Sequence, residues 1–284
     1  VSLDFYRAPV DLSDAGLHRG MLDGLPRDIP GLVKVVQGLL IHEHMTDAYG
    51  VALPAERRGE SHARPIEAML AAIAARDPSP LGQPRAAADR YICVCRSFTL
   101  LLVAILRHQG VPARARCGFG AYFEAGKFYD HWVVEYWSTA EKRWVKVDSQ
   151  VDDRQRKMFG VTIDTLDVTP EQFLVAGDAW KLCRSGREDP QDFGILDMHG
   201  LWFIASNIVR DVAALNNREM LPWDVWGAMQ LVDEGLDVAF FDQLAELTHA
   251  PDRHFAELRA VYGDKRIAIP ATVFNAVLNR SEAA

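Results

Sequence analysis

The stretch Cys95–Gly110, CRSFTLLLVAILRHQG, restricts the fold more than any other part of the chain. Phe98 to Leu106 is apolar almost without a break, so a helix here must be covered on most sides. Gly110 stands where a helix C-terminus wants positive φ, and Pro112 blocks any continuation. Ser97 and Thr99 keep the first turn polar. The helix opens on a cysteine. A thiol at that end faces unpaired N–H groups and the positive pole of the helix, both of which favour the thiolate. A lowered thiol pKa is therefore expected at Cys95.

After Gly110 the apolar period falls from 3.6 to 2. Ala113–Phe119 alternates small or apolar residues with charged ones, as a half-buried strand does. His131–Trp137 and Lys142–Asp148 read as two further strands, close enough to form an antiparallel hairpin. With residues 138–141 as its loop, Trp137 pairs with Lys142 and His131 lies opposite Asp148 on the same face. Trp132, Val134 and Tyr136 then meet Val145 and Val147. A slip of one residue would put His131 and Asp148 on opposite faces.

Before the central helix, residues 1–30 read as an irregular lead-in. Residues 31–48 read as a helix carrying His42, Glu43 and His44, partly exposed or core-edge histidines without the spacing of a zinc protease. Residues 54–64 form a charged loop, and residues 65–76 a helix with Pro65 at its first position. Beyond residue 165 the chain turns helical again. Thr169-Pro170-Glu171-Gln172 has the signature of a helix start, and the helix is expected to run through Trp180. Residues 198–215, 236–248 and 252–261 give three more helices, and residues 267–270 a short strand or extended tail. No Pro/Gly/Ser-rich linker precedes residue 165. The expected organisation is thus a helical N-terminal part of the core (1–85), a central catalytic core (86–165), and a mostly helical C-terminal extension on the same domain (166–284).

With 284 residues, 49% of them apolar, the chain can build a sizeable core. Its formal charge of −8 argues against nucleic acid or an anionic membrane as partner. No stretch is apolar and long enough to span a bilayer. The opening VSLDFYRAPVDLSD has acids and no apolar segment, so a processed or trimmed start is expected, not a signal peptide. Cys93, Cys95, Cys117 and Cys183 have no disulfide spacing, which fits free thiols in a reducing cytoplasm. Cys93 and Cys95 lack a second pair at zinc spacing, and neither a metal nor another cofactor is expected.

Cys95 at a helix start, His131 on one strand and Asp148 on its partner supply the residue types of nucleophilic acyl transfer. The histidine takes the thiol proton, and the aspartate orients the ring and steadies the imidazolium. The stretches that carry them are CRSFTLLLVAILRHQGVPARARCGF, DHWVVEYW and RWVKVDSQ. Together they resemble the transglutaminase-like superfamily of papain-type cysteine enzymes, over about residues 90–150. Cys95, Gly110-Val111-Pro112-Ala113-Arg114, His131-Trp132 and Trp144-Val145-x-x-Asp148 fall on its motif positions. Val94 departs from the small or polar residue frequent before the nucleophile. The resemblance implies an α+β fold, with a buried Cys-bearing helix packed on an antiparallel sheet and helical N- and C-terminal extensions. It also implies thioester chemistry on a small-molecule or peptide amide or ester, with water or an amine as acceptor. The competing reading is a catalytically silent member that binds a partner or ligand.

Other residues carry weaker signals. The backbone N–H of Cys95 is one oxyanion donor by geometry, and Tyr91 or Gln83 is a candidate for the second. Arg114 and Arg116 read as a solvated strand face more readily than as a carboxylate site. Trp132, Trp137 and Trp144 belong to the core or sheet edge before a cleft wall. Cys93, Cys117 and Cys183 read as packing residues.

Overall fold

The structure is a computed structural model that describes residues 2–284. It opens with a helical turn, α1 (Ser2–Phe5), then short 3-10 turns, then α2 (Ile29–Leu39). Asp28 caps α2 by accepting the Gly31 N–H at 2.8 Å. Contrary to the sequence reading, α2 does not continue to residue 48. Leu40–His42 leaves it as an extended strand, β1, and Glu43–Tyr49 follows as a 3-10 turn. The cause is long-range. After α3 (Ile66–Arg76), strand β2 (Tyr91–Cys93) runs parallel to β1, pairing Leu40 with Tyr91 and His42 with Cys93. Ladder bonds and burial on both sides outweigh the helical continuation of the apolar pattern.

Strand β2 leads through the extended residue Val94 into α4 (Cys95–His108). The helix is buried from Cys95 to Arg107. It ends as expected: Gly110 has φ +76°, and the Val111 N–H donates to the Leu106 carbonyl at 2.9 Å. Two arginines on this apolar helix are also buried, and both are satisfied. Arg96 donates to the backbone carbonyls of Arg64 and Glu219, while Arg107 donates to Ser13, Ala113 and Asn217. Each fully buried leucine of α4 contributes ~1.5–3 kcal/mol.

Strands β3 (Ala113–Gly120), β4 (Phe128–Ser138) and β5 (Arg143–Val147) form the antiparallel meander the sequence predicts. Its hairpin register differs by two residues. Val134, not Lys142's expected neighbourhood, fixes the count: it pairs with Val147, Ser138 pairs with Arg143, and the loop is 139–142 with Lys142 at φ +56°. Asp148 therefore lies just past the strand end, diagonal to His131. Because the offset is two, both side chains keep the same face.

Helix α5 (Asp153–Phe159) follows, capped by Asp152. The sequence reading then fails locally. Thr169–Gln172 closes a single turn, Phe173–Val175 forms strand β6 against β3, and the helix, α6 (Ala176–Arg184), begins only there. Gly118 makes this pairing possible, since a Cβ there would meet the Leu174 carbonyl at 2.1 Å. A small hairpin, β7 (Phe193–Ile195) and β8 (Met198–His199), is joined in parallel to the start of β4. Helix α7 (Leu201–Leu215), strand β9 (Asp224–Val225), helices α8 (Val238–His249) and α9 (Phe255–Val261), and strands β10 (Thr272–Asn275) and β11 (Arg280–Ala283) complete the chain. Residues 267–270 are not a strand.

The architecture is α+β. One core joins α2, α3 and α4 to Ala113, Ala115, Cys117, Trp132, Val134, Val145 and Val147 of the sheet. A second joins α6, α7 and α8 on the far side. This second layer corrects the reading of Arg114 and Arg116 as solvated. Arg116 is buried between Asp211 of α7, at 2.8 Å and 3.1 Å, and Glu135 of β4 at 3.1 Å. Arg114 donates to Glu135 at 2.7 Å and lies 4.0 Å from the Trp144 ring centre. Burial would lower the Arg116 pKa, but the charges of Asp211 and Glu135 hold it up. Among the described residues no helix is long and apolar enough to cross a membrane.

Candidate active site

The start of α4 and the first half of β4 face a cleft. Cys95, 7% exposed, borders two adjoining cavities of about 300 and 310 Å³, which share His42, His44, Asp130, Ile195 and Leu196. His131 and Gln150 line the second cavity. The site is thus assembled from β1, the start of α4, β4, the segment after β5, and the β7–β8 hairpin.

His131 Nε2–H donates to Asp148 Oδ2 at 3.0 Å. A carboxylate only accepts, so Nδ1 carries the lone pair of the neutral ring. Asp148 is fully buried and held from several sides. Tyr122 Oη donates to Oδ2 at 2.7 Å, and the Gln150 and Val151 N–H groups donate to Oδ1 at 2.8 Å and 3.3 Å. Burial would raise its carboxyl pKa. The charge and hydrogen bond of His131, with the Tyr122 and Gln150 donors, outweigh that and hold it below the usual range. The Phe123 ring meets the His131 ring edge-on, with centroids 5.2 Å apart, and restricts its rotation.

The Cys95 thiol departs from expectation. Burial pushes it well above the ordinary thiol range, and the nearby Asp130 carboxylate adds to the rise. Hydrogen bonds from the backbone N–H groups of Arg96 and Trp132 pull the other way without prevailing. The helix pole is present, but it lies inside the protein, where desolvation of an anion outweighs it. The resting group is the thiol.

Two residues at the site escaped the sequence reading. Asp130 borders both cavities and accepts from Asn207 Nδ2 at 2.7 Å; its carboxyl is raised by burial against the pull of Arg210. His42 lies at the end of β1, beside Cys93 in the ladder. The His44 N–H donates to its Nδ1 at 3.2 Å, so the neutral ring carries its proton on Nε2. Burial, then the charges of His44 and His131, lower the His42 pKa to about 3. It is therefore a neutral N–H donor at ordinary pH. The pairing of residues 40–42 with 91–93 is the only signal that could have found it, and it is absent from local periodicity. Tyr91 and Gln83 are excluded as cleft donors. The Tyr91 hydroxyl is spent on the Glu60 carbonyl, and Gln83 is exposed and borders neither cavity. Trp132 is in the core, and Trp137 packs edge-on against Trp144 across the hairpin.

Residues 60–149 match the family model of the transglutaminase-like superfamily. That range starts some thirty residues before the motifs, at Glu60, whose carboxylate accepts the Ile92 N–H of β2 at 2.9 Å. No curated protein matches the chain. A solved structure named "Putative Cysteine Protease from Cytophaga hutchinsonii" is similar to it at 13% identity and a TM-score of 0.33, over 62% of this chain. The chain spans about half the length of that protein, 48%.

Proposed function

From the transglutaminase-like domain that this chain carries, we propose that it is a cysteine-dependent acyl-transfer enzyme, acting through a thioester on Cys95. The observation that supports this most is the His131–Asp148 pair, whose Nδ1 lone pair is left free at a cleft that Cys95 also borders. The sulfur attacks the carbonyl carbon of an amide or ester as its proton passes to His131 Nδ1. Proton transfer accompanies attack, because burial does not sustain a resting thiolate. The carbonyl π pair moves to oxygen. His42 Nε2–H and the Cys95 backbone N–H are the donors proposed to receive that charge. When the tetrahedral species collapses, the C–N or C–O bond breaks and His131 returns the proton to the departing amine or alcohol. Water or an amine then takes the acyl group from sulfur, again with His131 as base. Asp148 orients the ring and stabilises its cationic form. The formal charge of −8 does not favour polyanionic partners, and four unpaired cysteines fit a reducing cytoplasm.

The test is intact-protein mass spectrometry after exposure to an activated ester. Wild type should gain one acyl mass, mapped to Cys95, and Cys95→Ala should gain none while Cys93→Ala still does. Adduct on Cys93 instead would move the nucleophile, and no adduct at all would end the reading. One observation favours a second reading, a silent binding protein: the burial that keeps Cys95 protonated. That reading requires an unreactive Cys95 even with the best ester.

A further inference from the structure

The cleft wing that runs from Cys95 past Trp202, Trp223 and Val225 has a wall that is mostly carbon. Four of the chain's most exposed large apolar side chains border it: Leu196 (76% exposed), Met198, Leu231 and Val277. Single exposed apolar residues need no explanation, but four around the mouth of one cavity, beside a candidate nucleophile, do.

Leu196 sharpens the argument. It occupies the two-residue loop of the β7–β8 hairpin, where Ile195 pairs with Met198, and its φ is +55°. Such a backbone favours glycine and costs a leucine about 1–2 kcal/mol. Exposed as it is, the side chain gains little burial in return. The folded chain alone has no use for a strained leucine held over the cleft; a bound apolar group would cover it. At the cavity floor two opposite charges offset each other: buried Arg210 donates to Asn207 Oδ1 at 2.9 Å and the Asp224 carbonyl at 3.1 Å, its Nε without a partner, and Asp130 accepts from the same Asn207 at 2.7 Å. At about 300 Å³ the wing is at the small end of ligand sites, suited to one acyl group or one bulky side chain and not to an extended polymer.

We propose that this wing is the acyl-binding subsite, and that the enzyme acts on amides or esters of apolar, uncharged acyl groups, aliphatic or aromatic. The proposal rests on the thioester reading for its position beside Cys95. Its experiment uses p-nitrophenyl acetate, butanoate, hexanoate and phenylacetate, with the hemisuccinate ester as charged control. Each Cys95 acylation rate is divided by that ester's rate with free cysteine. The corrected rate should rise about fourfold per added methylene, on the order of 10²-fold from acetyl to hexanoyl, with succinyl slowest. Leu196→Gly should flatten this series and yet raise the unfolding midpoint, a combination no purely structural role gives. A separate titration follows tryptophan fluorescence of Cys95→Ala with hexanamide and with succinamic acid, and should show binding of the first only. If no ester acylates Cys95, the thioester reading falls, while the titration still decides the wing. A flat or reversed ester series, or equal binding of both amides, overturns the proposal. So does a micromolar dimer that Leu196→Gly dissociates without touching the series, since the rim would then be a contact between copies.

Discussion

Replacing His42 with alanine separates stabilisation of a developing oxyanion from simple reactivity of the thiol. Losing one oxyanion donor costs about 10²–10³ in rate, roughly 2.7–4 kcal/mol. His42 belongs at the lower end, about 10²-fold, because its depressed pKa makes the donor a neutral N–H and not an imidazolium. The same substitution strips the acceptor from the His44 N–H, a fold cost of about 1 kcal/mol that denaturant unfolding would read. The two effects are distinguished by chemistry. Acylation by an activated ester passes through a tetrahedral oxyanion; alkylation by iodoacetamide is a direct displacement and does not. His42→Ala should slow Cys95 acylation about 10²-fold and leave its alkylation at the same pH within a few-fold of wild type. His42→Gln, which restores an N–H donor, should recover part of the loss. If acylation and alkylation fall together, or the glutamine variant recovers nothing, His42 shapes the site and holds no oxyanion.

The same histidine sets an acid limit. Its folded pKa of about 3 lies below the unfolded value near 6.5, so the unfolded chain binds more protons between those values and stability falls with pH there; the His42 share at pH 5 is about 2 kcal/mol, and His42→Gln should remove that slope from urea unfolding measured at pH 5 and 7. Asp148→Asn should keep the fold and reduce acylation by up to ~10⁴-fold, since the ring loses the acceptor that fixes its tautomer; a loss below tenfold would separate Asp148 from the reaction. Alkylation of Cys95 should climb only on the alkaline side, and a plateau below pH 7 would contradict burial as the dominant influence on the thiol. Arg116→Met leaves Asp211 and Glu135 without their shared cation and should destabilise by ~3–5 kcal/mol in denaturant, whereas a change under 1 kcal/mol would mean that α7 is not held to the sheet by this cluster.

Where local pattern decides structure, the residues could be read directly. Helix α4, its glycine stop, the three-strand meander and the Cys–His–Asp order all follow from period and punctuation within about fifty residues. The hairpin count was off because loop residues 138–141 and 139–142 look alike, and only Lys142 at positive φ distinguishes them. His131 and Asp148 still share a face because strand faces repeat every two residues. His42 was misplaced since Leu39-Leu40-Ile41 extends the apolar face of α2, while the partner that unwinds it, β2, lies fifty residues ahead. Arg114 and Arg116 alternate as a half-exposed strand would, and α7, whose Asp211 meets Arg116, lies almost a hundred residues later. The β7–β8 hairpin carries Leu196-Asp197 where a turn usually advertises glycine or asparagine, so it gave no turn signal.

Helix α4 is buried from Cys95 to Arg107 and borders the cleft only at its first residue, while the hairpin that overhangs it consists of a few residues on a sheet margin. Local opening costs little where few contacts are lost and approaches the global unfolding free energy in the centre of the core. Amide exchange should accordingly be slowest along α4 and fast at Leu196 and Asp197. Cys95, the proposed nucleophile, then rides on a part of the molecule that yields only when everything yields. The lip above it can breathe while Cys95 and the His131–Asp148 pair stay in place. If the proposed acyl transfer holds, mild denaturant should therefore erode selectivity between acyl groups before it erodes turnover, so that discrimination is lost first and activity later.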